Sequence, residues 1–145
     1  MKLKISTPTK VVYQGEIQEI TVPTESGDIL ITKNQIPLVS PIKPGIIKFL
    51  LSTFPYEFSS KNESIAISVG KGMLFVDGKI VRIVTSVATM QPVESEDMLI
   101  QIKEMLENRI KKLKAEGSLE AIDKELDKLE KVNADIKLKR MLQTA

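Results

Sequence analysis

The residue types best suited to acid–base or metal chemistry lie in one short acidic segment. Glu94, Glu96 and Asp97 are close together, and such carboxylates can bind a cation or accept a proton. The chain has no cysteine and no histidine, which excludes thiol chemistry, Ser-His-Asp arrangements and zinc sites built from Cys and His. Ser95 immediately precedes Glu96, so helix capping is the simpler interpretation and a cation site is the alternative.

Gly70-Lys71-Gly72 is a second candidate, because glycine-rich loops with a lysine can cradle phosphate. The segment lacks the Gly-x-x-x-x-Gly-Lys-Ser/Thr spacing and precedes a predicted strand instead of a helix. We therefore predict a β turn or bulge. A basic run further along is more typical of a solvated helix face than of a ligand site, unless the partner is acidic; it comprises Arg109, Lys111, Lys112 and Lys114.

Size and composition indicate one domain with a modest appendage. The 145 residues are 42% hydrophobic and 28% charged, with a net charge of +2. Without a basic stripe or tryptophan, and with few other aromatic residues, no nucleic-acid partner is expected. No apolar run approaches the roughly 20 residues that span a bilayer, and the start does not resemble a signal peptide. Any association with a membrane is therefore expected to go through a partner protein.

The first 90 or so residues consist of short β-like runs separated by turn residues, which predicts an antiparallel sandwich or barrel. Gln14-Gly15 is predicted to turn the chain. The alternation slips between Ile17 and Ile20, which predicts a bulge. Lys61-Asn62-Glu63 is predicted to be a hairpin tip, and Asp77-Gly78 a two-residue hairpin turn.

After Pro92 the apolar residues recur at spacings of three and four, which predicts helices. Ser95 is the predicted N-cap of the first helix, Gly117 its stop and Ser118 the cap of a second helix, with residues 87–93 as the connector. The tight Gly-Ser turn predicts an antiparallel hairpin. The first apolar stripe comprises Leu99, Ile102, Leu106, Ile110 and Leu113, widened by Met98 and Met105. The second comprises Leu119, Ile122, Leu126, Leu129, Val132, Ile136 and Met141 or Leu142. Favourable i,i+4 ion pairs are predicted for Glu120 with Lys124, Asp127 with Lys131, and Asp135 with Lys139.

Several of these segments together resemble one family. Residues 27–45 carry three turn signals, at Gly27, Asn34-Gln35 and Pro44-Gly45. Residues 7–17 precede them, residues 69–87 follow, and the helical hairpin comes last. In order and spacing, nearly the whole chain resembles the ε subunit of bacterial F-type ATP synthases.

The resemblance implies an α+β fold with an N-terminal antiparallel β-sandwich of about ten strands and a C-terminal two-helix hairpin. Residues 1–90 would bind the γ subunit and the ring of c subunits, and residues 91–145 would form a linker and a regulatory hairpin. It implies a non-catalytic rotor subunit in the central stalk of a proton-translocating motor, at the cytoplasmic face of the bacterial plasma (inner) membrane. The hairpin would lie folded on the sandwich or extend toward the α and β subunits, where it inhibits ATP hydrolysis.

The resemblance also assigns contact residues by position. The c-ring contact would be Glu25, Ser26, Gly27 and Asp28. The γ contact would be Asn34, Gln35, Ile36 and Pro37, where Gln35 replaces the family's histidine and Asn34 its glycine. The inhibitory contact with the β subunit would be Arg109, Lys111, Lys112, Lys114, Lys137, Lys139 and Arg140.

No cofactor or metal is implied for this chain. Some family members bind ATP through an Ile-Asp-x-x-Arg-Ala motif at the start of the hairpin. Asp97 keeps the aspartate of that motif, but Ile100 replaces the arginine whose cation would meet phosphate. ATP binding by this hairpin is therefore not expected.

Two other interpretations are compatible with the residues. One is a sandwich-plus-hairpin adaptor unrelated to the motor, which co-purification with γ would distinguish. The other is an enzyme that uses a lysine or a carboxylate, which turnover by the isolated chain would reveal.

Overall fold

The computed structural model describes residues 1–33, 36–51 and 64–143. Within these residues nine strands precede two helices. The strands are β1 (Lys2–Ser6), β2 (Val11–Thr24), β3 (Gly27–Thr32), β4 (Leu38–Ile42), β5 (Gly45–Leu51), β6 (Ser64–Val69), β7 (Gly72–Val76), β8 (Ile80–Thr85) and β9 (Ala88–Thr89), and the helices are α1 (Glu96–Glu116) and α2 (Leu119–Gln143). The predicted α+β architecture is confirmed; the predicted hairpin tip at residues 61–63 lies outside the described residues.

The long strand β2 links two sheets. Its first half pairs with β1 in the order β4-β7-β8-β1-β2, which we call the first sheet. Its second half pairs with β3 and β5, giving the second sheet, β3-β2-β5-β6-β9. The register shifts between Ile17 and Glu19, which confirms the predicted bulge at the point where β2 changes sheet.

The inner faces of the two sheets meet in one apolar core. Alternate residues of the strands are buried there, as the period-2 pattern requires. Leu3 and Ile5 of β1, for example, face the core while Lys2 and Lys4 are exposed. Among the residues that the structure describes, the largest fully buried side chain is Phe49, and its ring centroid lies 4.7 Å from that of Tyr13. Burial raises the pKa of the Tyr13 phenol.

One pairing departs from the predicted antiparallel arrangement. Strand β1 lies between β2, to which it is antiparallel, and β8, to which it is parallel, with Leu3 opposite Val81 and Ile5 opposite Ile83. A parallel neighbour far away in sequence leaves no local turn signal. The periodicity of the two strands therefore predicted their faces but not this contact.

The predicted turn at Gln14-Gly15 is wrong, because both residues lie inside β2 and Gly15 pairs with Leu3. A Cβ on Gly15 would lie 2.8 Å from the hydroxyl oxygen of Tyr13. The glycine therefore makes room for the Tyr13 side chain, and the strand continues through it.

The hairpin between β7 and β8 forms as predicted but is centred one residue later. Gly78-Lys79 is the two-residue loop, Gly78 has a φ of 98°, and the Asp77 amide donates to the carbonyl oxygen of Ile80 at 3.2 Å. Asp77 Oδ1 accepts the backbone N–H groups of Ile80 at 2.8 Å and Lys79 at 3.1 Å. These bonds, that of Ile80 first, lower the pKa of the Asp77 carboxyl.

The capping predictions for α1 are confirmed, and the capping role of Ser118, which directly precedes α2, stays a prediction. Ser95 Oγ accepts the Met98 amide at 3.3 Å, and Gly117 ends α1 in the left-handed conformation with φ 77°. The predicted connector was too long, since Ala88 and Thr89 form strand β9 on the edge of the second sheet. Neither helix described is long and apolar enough to cross a membrane.

In the segment Gly70-Lys71-Gly72, for which a β turn or bulge is predicted, the chain bends at Lys71 and Gly72 is the first residue of β7. A Cβ on Gly72 would lie 2.2 Å from the carbonyl oxygen of Val84 and 2.9 Å from Cα of Thr85. Because these are backbone atoms, Gly72→Ala is expected to part β7 from β8 and to lower the free energy of unfolding by about 3 kcal/mol. The midpoint of urea denaturation measures this loss.

Gly15→Ala is the matched control for Gly72→Ala. The atom that its Cβ would meet is the far end of the Tyr13 side chain, which can rotate away. The control is expected to cost clearly less than Gly72→Ala. Equal losses from the two substitutions would contradict the close approach of β7 to β8.

Candidate interaction surfaces and the hairpin interface

The outer face of the second sheet is partly covered by α2, which packs on β5 and β6. The Ser68 hydroxyl donates to Asp135 Oδ1 at 2.5 Å. Lys131 Nζ donates to the same oxygen at 2.6 Å and to Thr89 Oγ1 at 3.2 Å. We call these four residues the polar latch. It fastens one turn of α2 to strands β6 and β9.

The charged members of the polar latch are largely withdrawn from water. The side chains of Lys131 and Asp135 are 13% and 15% exposed, and Ser68 is fully buried. Removing two charges from water costs about as much as their attraction returns, so the pair adds little net stability. If one partner is lost, however, the other is left buried without compensation. The polar latch therefore fixes where α2 docks more than it strengthens the docking.

Three further contacts join separate parts of the molecule near the hairpin. Lys71 Nζ lies 3.0 Å from Asp127 Oδ2, which ties the β6–β7 turn to α2. Lys139 Nζ donates to the carbonyl oxygen of Pro92 at 3.4 Å. Arg140 Nε lies 2.6 Å from Glu96 Oε1, so the last turns of α2 are paired with the start of α1. These contacts are largely exposed and individually weak.

The hydrogen bond to Asp127 raises the pKa of the Lys71 ammonium group, and the charges of Asp127, Glu25 and Asp123 act in the same direction. A cation whose pKa is raised on docking stabilises the docked form at every pH below its ordinary pKa. The stabilisation disappears only as the pH rises through the raised value. The contact is therefore fully present at neutral pH.

The helix pairs predicted from the sequence are partly wrong. Asp127 pairs with Lys71 instead of Lys131, and Lys131 pairs with Asp135. The i,i+4 rule treats both partners as facing solvent, whereas these residues face the sandwich. Helix α2 thus presents one side to α1 and a second, charged side to the sheet.

The apolar stripes are partly wrong for the same reason. Leu99, Leu106, Ile110 and Ile122 are buried as predicted. By contrast Met98, Met105, Leu119, Leu126 and Leu142 are exposed. Glu125, Ala134 and Leu138 are buried although they lie outside the two predicted stripes. The contact between the helices is mainly apolar. The contact between α2 and the sheet depends strongly on charged groups, which become hydrated again when α2 leaves the sheet.

The basic residues predicted to meet the β subunit are divided between two situations. Lys111, Lys112 and Lys114 are exposed in the last turns of α1, and Lys137 is exposed on α2. The others contact groups of this chain: Arg109 Nη1 lies 3.6 Å from Glu125 Oε1, Arg140 contacts Glu96, and Lys139 contacts Pro92.

The predicted c-ring contact spans the turn between β2 and β3 and the first two residues of β3. Glu25, Ser26, Gly27 and Asp28 are all exposed, and the Thr24 hydroxyl donates to the Gly27 carbonyl oxygen at 2.6 Å. The turn also lies near α2. Glu25 shares a surface pocket with Lys71, Asp123 and Asp127, and Asp28 shares a neighbouring one with Lys137.

Half of the predicted γ contact falls outside the described residues, namely Asn34 and Gln35. Ile36 and Pro37 are exposed, and they lead directly into β4. Ile36 is a large apolar residue that is 82% exposed to solvent. The two described residues of the predicted γ contact are therefore accessible to a partner protein. The identity of that partner remains a prediction.

Sequence reasoning missed a broader surface on the first sheet, whose outer face no described element covers. The register aligns Val39, Phe75, Arg82 and Lys4 in one row, and Pro41, Met73, Val84 and Ser6 in the next. We call these eight residues the open face. Val39, Phe75 and Val84 are 62%, 40% and 47% exposed. The alternation within each strand predicts which apolar side chains face outward. Only the pairing order of the strands shows that these side chains form one patch.

The acidic segment is explained by helix capping, since Ser95 caps α1 and Glu96 and Asp97 lie in its first turn. Within the described residues no group of three Asp or Glu side chains is placed to hold a metal ion. Asp97 and Gln101 are exposed and Ile100 is half-buried in the first turns of α1. The expectation that this helix does not bind ATP remains a prediction.

Comparisons with known proteins agree with this arrangement. Residues 1–91 match the family model described as the ATP synthase Delta/Epsilon chain, beta-sandwich domain. The chain is 31% identical over 137 residues to the ATP synthase epsilon chain of Mycoplasmopsis synoviae, covering 94% of this chain and 93% of that protein. It is 30% identical over 122 residues to the ATP synthase epsilon chain of Hydrogenobaculum sp., covering 84% and 80%.

A solved structure shows the same fold at low sequence identity. A chain in the cryo-EM structure of Euglena gracilis mitochondrial ATP synthase, OSCP/F1/c-ring, superposes with a TM-score of 0.70 at 16% identity, covering 91% of this chain and 76% of that chain. The family match covers the whole sandwich, and the alignment with the Mycoplasmopsis synoviae protein covers 94% of the chain and so includes most of the hairpin. The chain therefore belongs to the family of ATP synthase ε chains.

Proposed function

We propose that this chain is a rotor subunit in the central stalk of an F-type ATP synthase, and that its hairpin restrains ATP hydrolysis. The family supports the place in the motor. The observation that carries the regulatory part is the charged interface between α2 and the second sheet. An interface of this kind defines one docked position and can be exchanged for water at a low net cost.

The geometry of the hairpin supports a second, extended position. Helix α1 is capped at both ends, and its C-cap, Gly117, separates it from α2. A glycine inside a continuous helix costs only about 1 kcal/mol relative to alanine, which new contacts can offset. Residues 95–142 in one helix would measure about 70 Å at 1.5 Å per residue. That length would take the basic residues of the hairpin from the sandwich to the catalytic subunits.

Within this proposal the subunit holds no catalytic site and acts through protein contacts. Its partners are γ, the c ring and, through the extended hairpin, the α and β subunits. It is bound to the membrane only as part of the complex, on the cytoplasmic face of a bacterial plasma membrane. The synthesis of ATP takes place on other subunits, and this chain transmits rotation.

The open face is the best-suited surface for γ. Its apolar part, Val39, Phe75 and Val84, has no cover from the rest of the described chain, and Arg82 and Lys4 continue the same row. Ile36 and Pro37 of the predicted γ contact adjoin it through β4. Apolar centres with basic neighbours are typical of protein–protein interfaces, and a few such residues dominate their affinity.

Val84→Asp is expected to weaken the binding of purified γ by about thirtyfold or more, because it places a charge at the centre of the interface. Isothermal titration with γ measures the loss. Val93→Asp is the matched control, since Val93 is 95% exposed in the connector before α1. A loss of affinity in the control but not in Val84→Asp would place the γ contact elsewhere.

The turn between β2 and β3 is the proposed contact with the c ring. Glu25→Lys combined with Asp28→Lys is expected to lower the yield of proton pumping per ATP hydrolysed, because the reversed charges repel basic loops of the ring. Quenching of a pH-sensitive dye in membrane vesicles measures pumping.

The melting temperature of the isolated chain should stay within a few degrees, since exposed charges contribute little to folding. Asp28→Lys alone controls for the proximity of Glu25 to Lys71. A sharp fall in melting temperature with unchanged pumping would show that the turn is structural.

A further inference from the structure

Glu125 is a buried carboxylate in the seam between the two helices. It is 8% exposed, and its Oε2 atom has no hydrogen-bond partner among the described residues. Its other oxygen lies 3.3 Å from Lys128 Nζ and 3.6 Å from Arg109 Nη1. Both cations are mostly exposed, so they compensate a buried charge poorly.

The position of Glu125 in the sequence makes this burial unusual. Ile122, Glu125, Leu129 and Val132 recur at spacings of three, four and three, which is the spacing of a helix seam. Ile122 is buried, and Val132 borders the same apolar groove as Ile102 and Leu106 of α1. An apolar side chain at this position would carry no cost of burying a charge. The carboxylate instead raises the free energy of the closed hairpin relative to the open one.

We propose that Glu125 is a conformational device that keeps the hairpin ready to open. Separation of α1 from α2 returns the carboxylate to water and releases Arg109. Closing requires burial of the carboxylate again, with one oxygen unsatisfied. The polar latch fixes where α2 rests on the sheet, whereas Glu125 sets how readily the two helices separate. The link between this opening and hydrolysis rests on the proposed function.

Amide hydrogen exchange in the full-length chain tests the device without the motor. Glu125→Met keeps an unbranched side chain of similar length and removes the charge. It is expected to slow exchange of the α2 amides around residues 122–132 by about tenfold, the scale seen when buried ion pairs are replaced by apolar groups. Glu104→Met, at an exposed position of α1, is the control and should change exchange little. Exchange in Glu125→Met that is unchanged, or faster than in the unaltered chain, would overturn the proposal.

A double-mutant cycle with Arg109 provides a second readout. Arg109→Met alone should speed opening, because it removes one of the two cations that compensate Glu125. In the Glu125→Met background the same change should have almost no effect. An equal effect of Arg109→Met in both backgrounds would show that Glu125 does not control the seam. Glu125→Gln, which removes the charge and keeps the shape, should fall between the unaltered chain and Glu125→Met.

Measurement of hydrolysis separates this inference from the proposed function. In the assembled motor, Glu125→Met is expected to raise ATP hydrolysis, because the closed hairpin cannot inhibit. If exchange slows as expected while neither this variant nor removal of the hairpin alters hydrolysis, the proposed function fails and the device stands. If removal of the hairpin raises hydrolysis but Glu125→Met does not slow exchange, the device fails and the proposed function stands.

Discussion

Removal of residues 95–145 is expected to raise ATP hydrolysis by the assembled motor about fivefold or more and to leave assembly intact. The magnitude corresponds to an ordinary regulatory coupling free energy. The reason is that both helices, and every basic residue assigned to the inhibitory contact, lie in this segment, while the sandwich has a core of its own. The measurement is steady-state hydrolysis by motors reconstituted with the full-length or the shortened subunit.

Charge reversal in the hairpin gives a graded version of this experiment. Lys111, Lys112 and Lys114 are exposed on α1, so changing them to Glu should weaken only the contact with the β subunit. Changing Lys137, Lys139 and Arg140 to Glu should also relieve inhibition in part, but it disturbs docked contacts too, since Arg140 pairs with Glu96 and Lys139 with Pro92. Both effects should diminish at high salt, which screens exposed charges. Unchanged hydrolysis in all these variants would leave the hairpin as a stabilising part of the stalk.

Asp135→Ala is expected to act in the opposite direction and to deepen inhibition. Asp135 accepts hydrogen bonds from both Ser68 and Lys131, so its loss leaves the buried Ser68 hydroxyl without its acceptor and the largely buried Lys131 ammonium group without its counter-charge. A broken buried pair costs about 3 kcal/mol, and this cost falls on the docked form alone. That is enough to shift the population of the hairpin about a hundredfold toward release. Hydrolysis by the assembled motor measures the change in inhibition.

Asp123→Ala is the control for Asp135→Ala. Asp123 lies on the same helix but is exposed, and it affects Lys71 only through its charge. Its replacement should change hydrolysis little. If Asp135→Ala raised hydrolysis, or acted no differently from Asp123→Ala, the polar latch would not hold the hairpin in its resting position.

Local signals in the sequence predicted much of the fold. Ser95 and Gly117 fixed the ends of α1 because each satisfies backbone groups that the helix leaves free. The slip in alternation after Ile17 predicted the bulge at which β2 changes sheet. The parallel contact of β1 with β8 was not predictable. It joins two strands that are far apart in the sequence, and no local turn connects them.

The functional surfaces were less accessible to sequence reasoning. Helical periodicity marks a buried side but assumes a single partner, whereas α2 meets both α1 and the second sheet. The largely buried Lys131 and Asp135 therefore had the same pattern as a solvated pair. Ser68 and Thr89 carry no signal of their own, since small hydroxyl residues are common in strands. The exposed turn at residues 25–28 was placed correctly because turn chemistry is local.

The most direct test of a regulatory hairpin is to lock it onto the sandwich. The chain has no cysteine, so Ser68→Cys combined with Asp135→Cys introduces a single pair at the point where α2 touches β6. Hydrolysis by the assembled motor is measured after oxidation and again after reduction. If the hairpin must leave the sandwich to inhibit, the oxidised motor should hydrolyse ATP as fast as a motor that lacks residues 95–145, and reduction should restore inhibition. Equal rates before and after reduction, with the disulfide shown to form, would contradict a regulatory hairpin that must leave the sandwich to act.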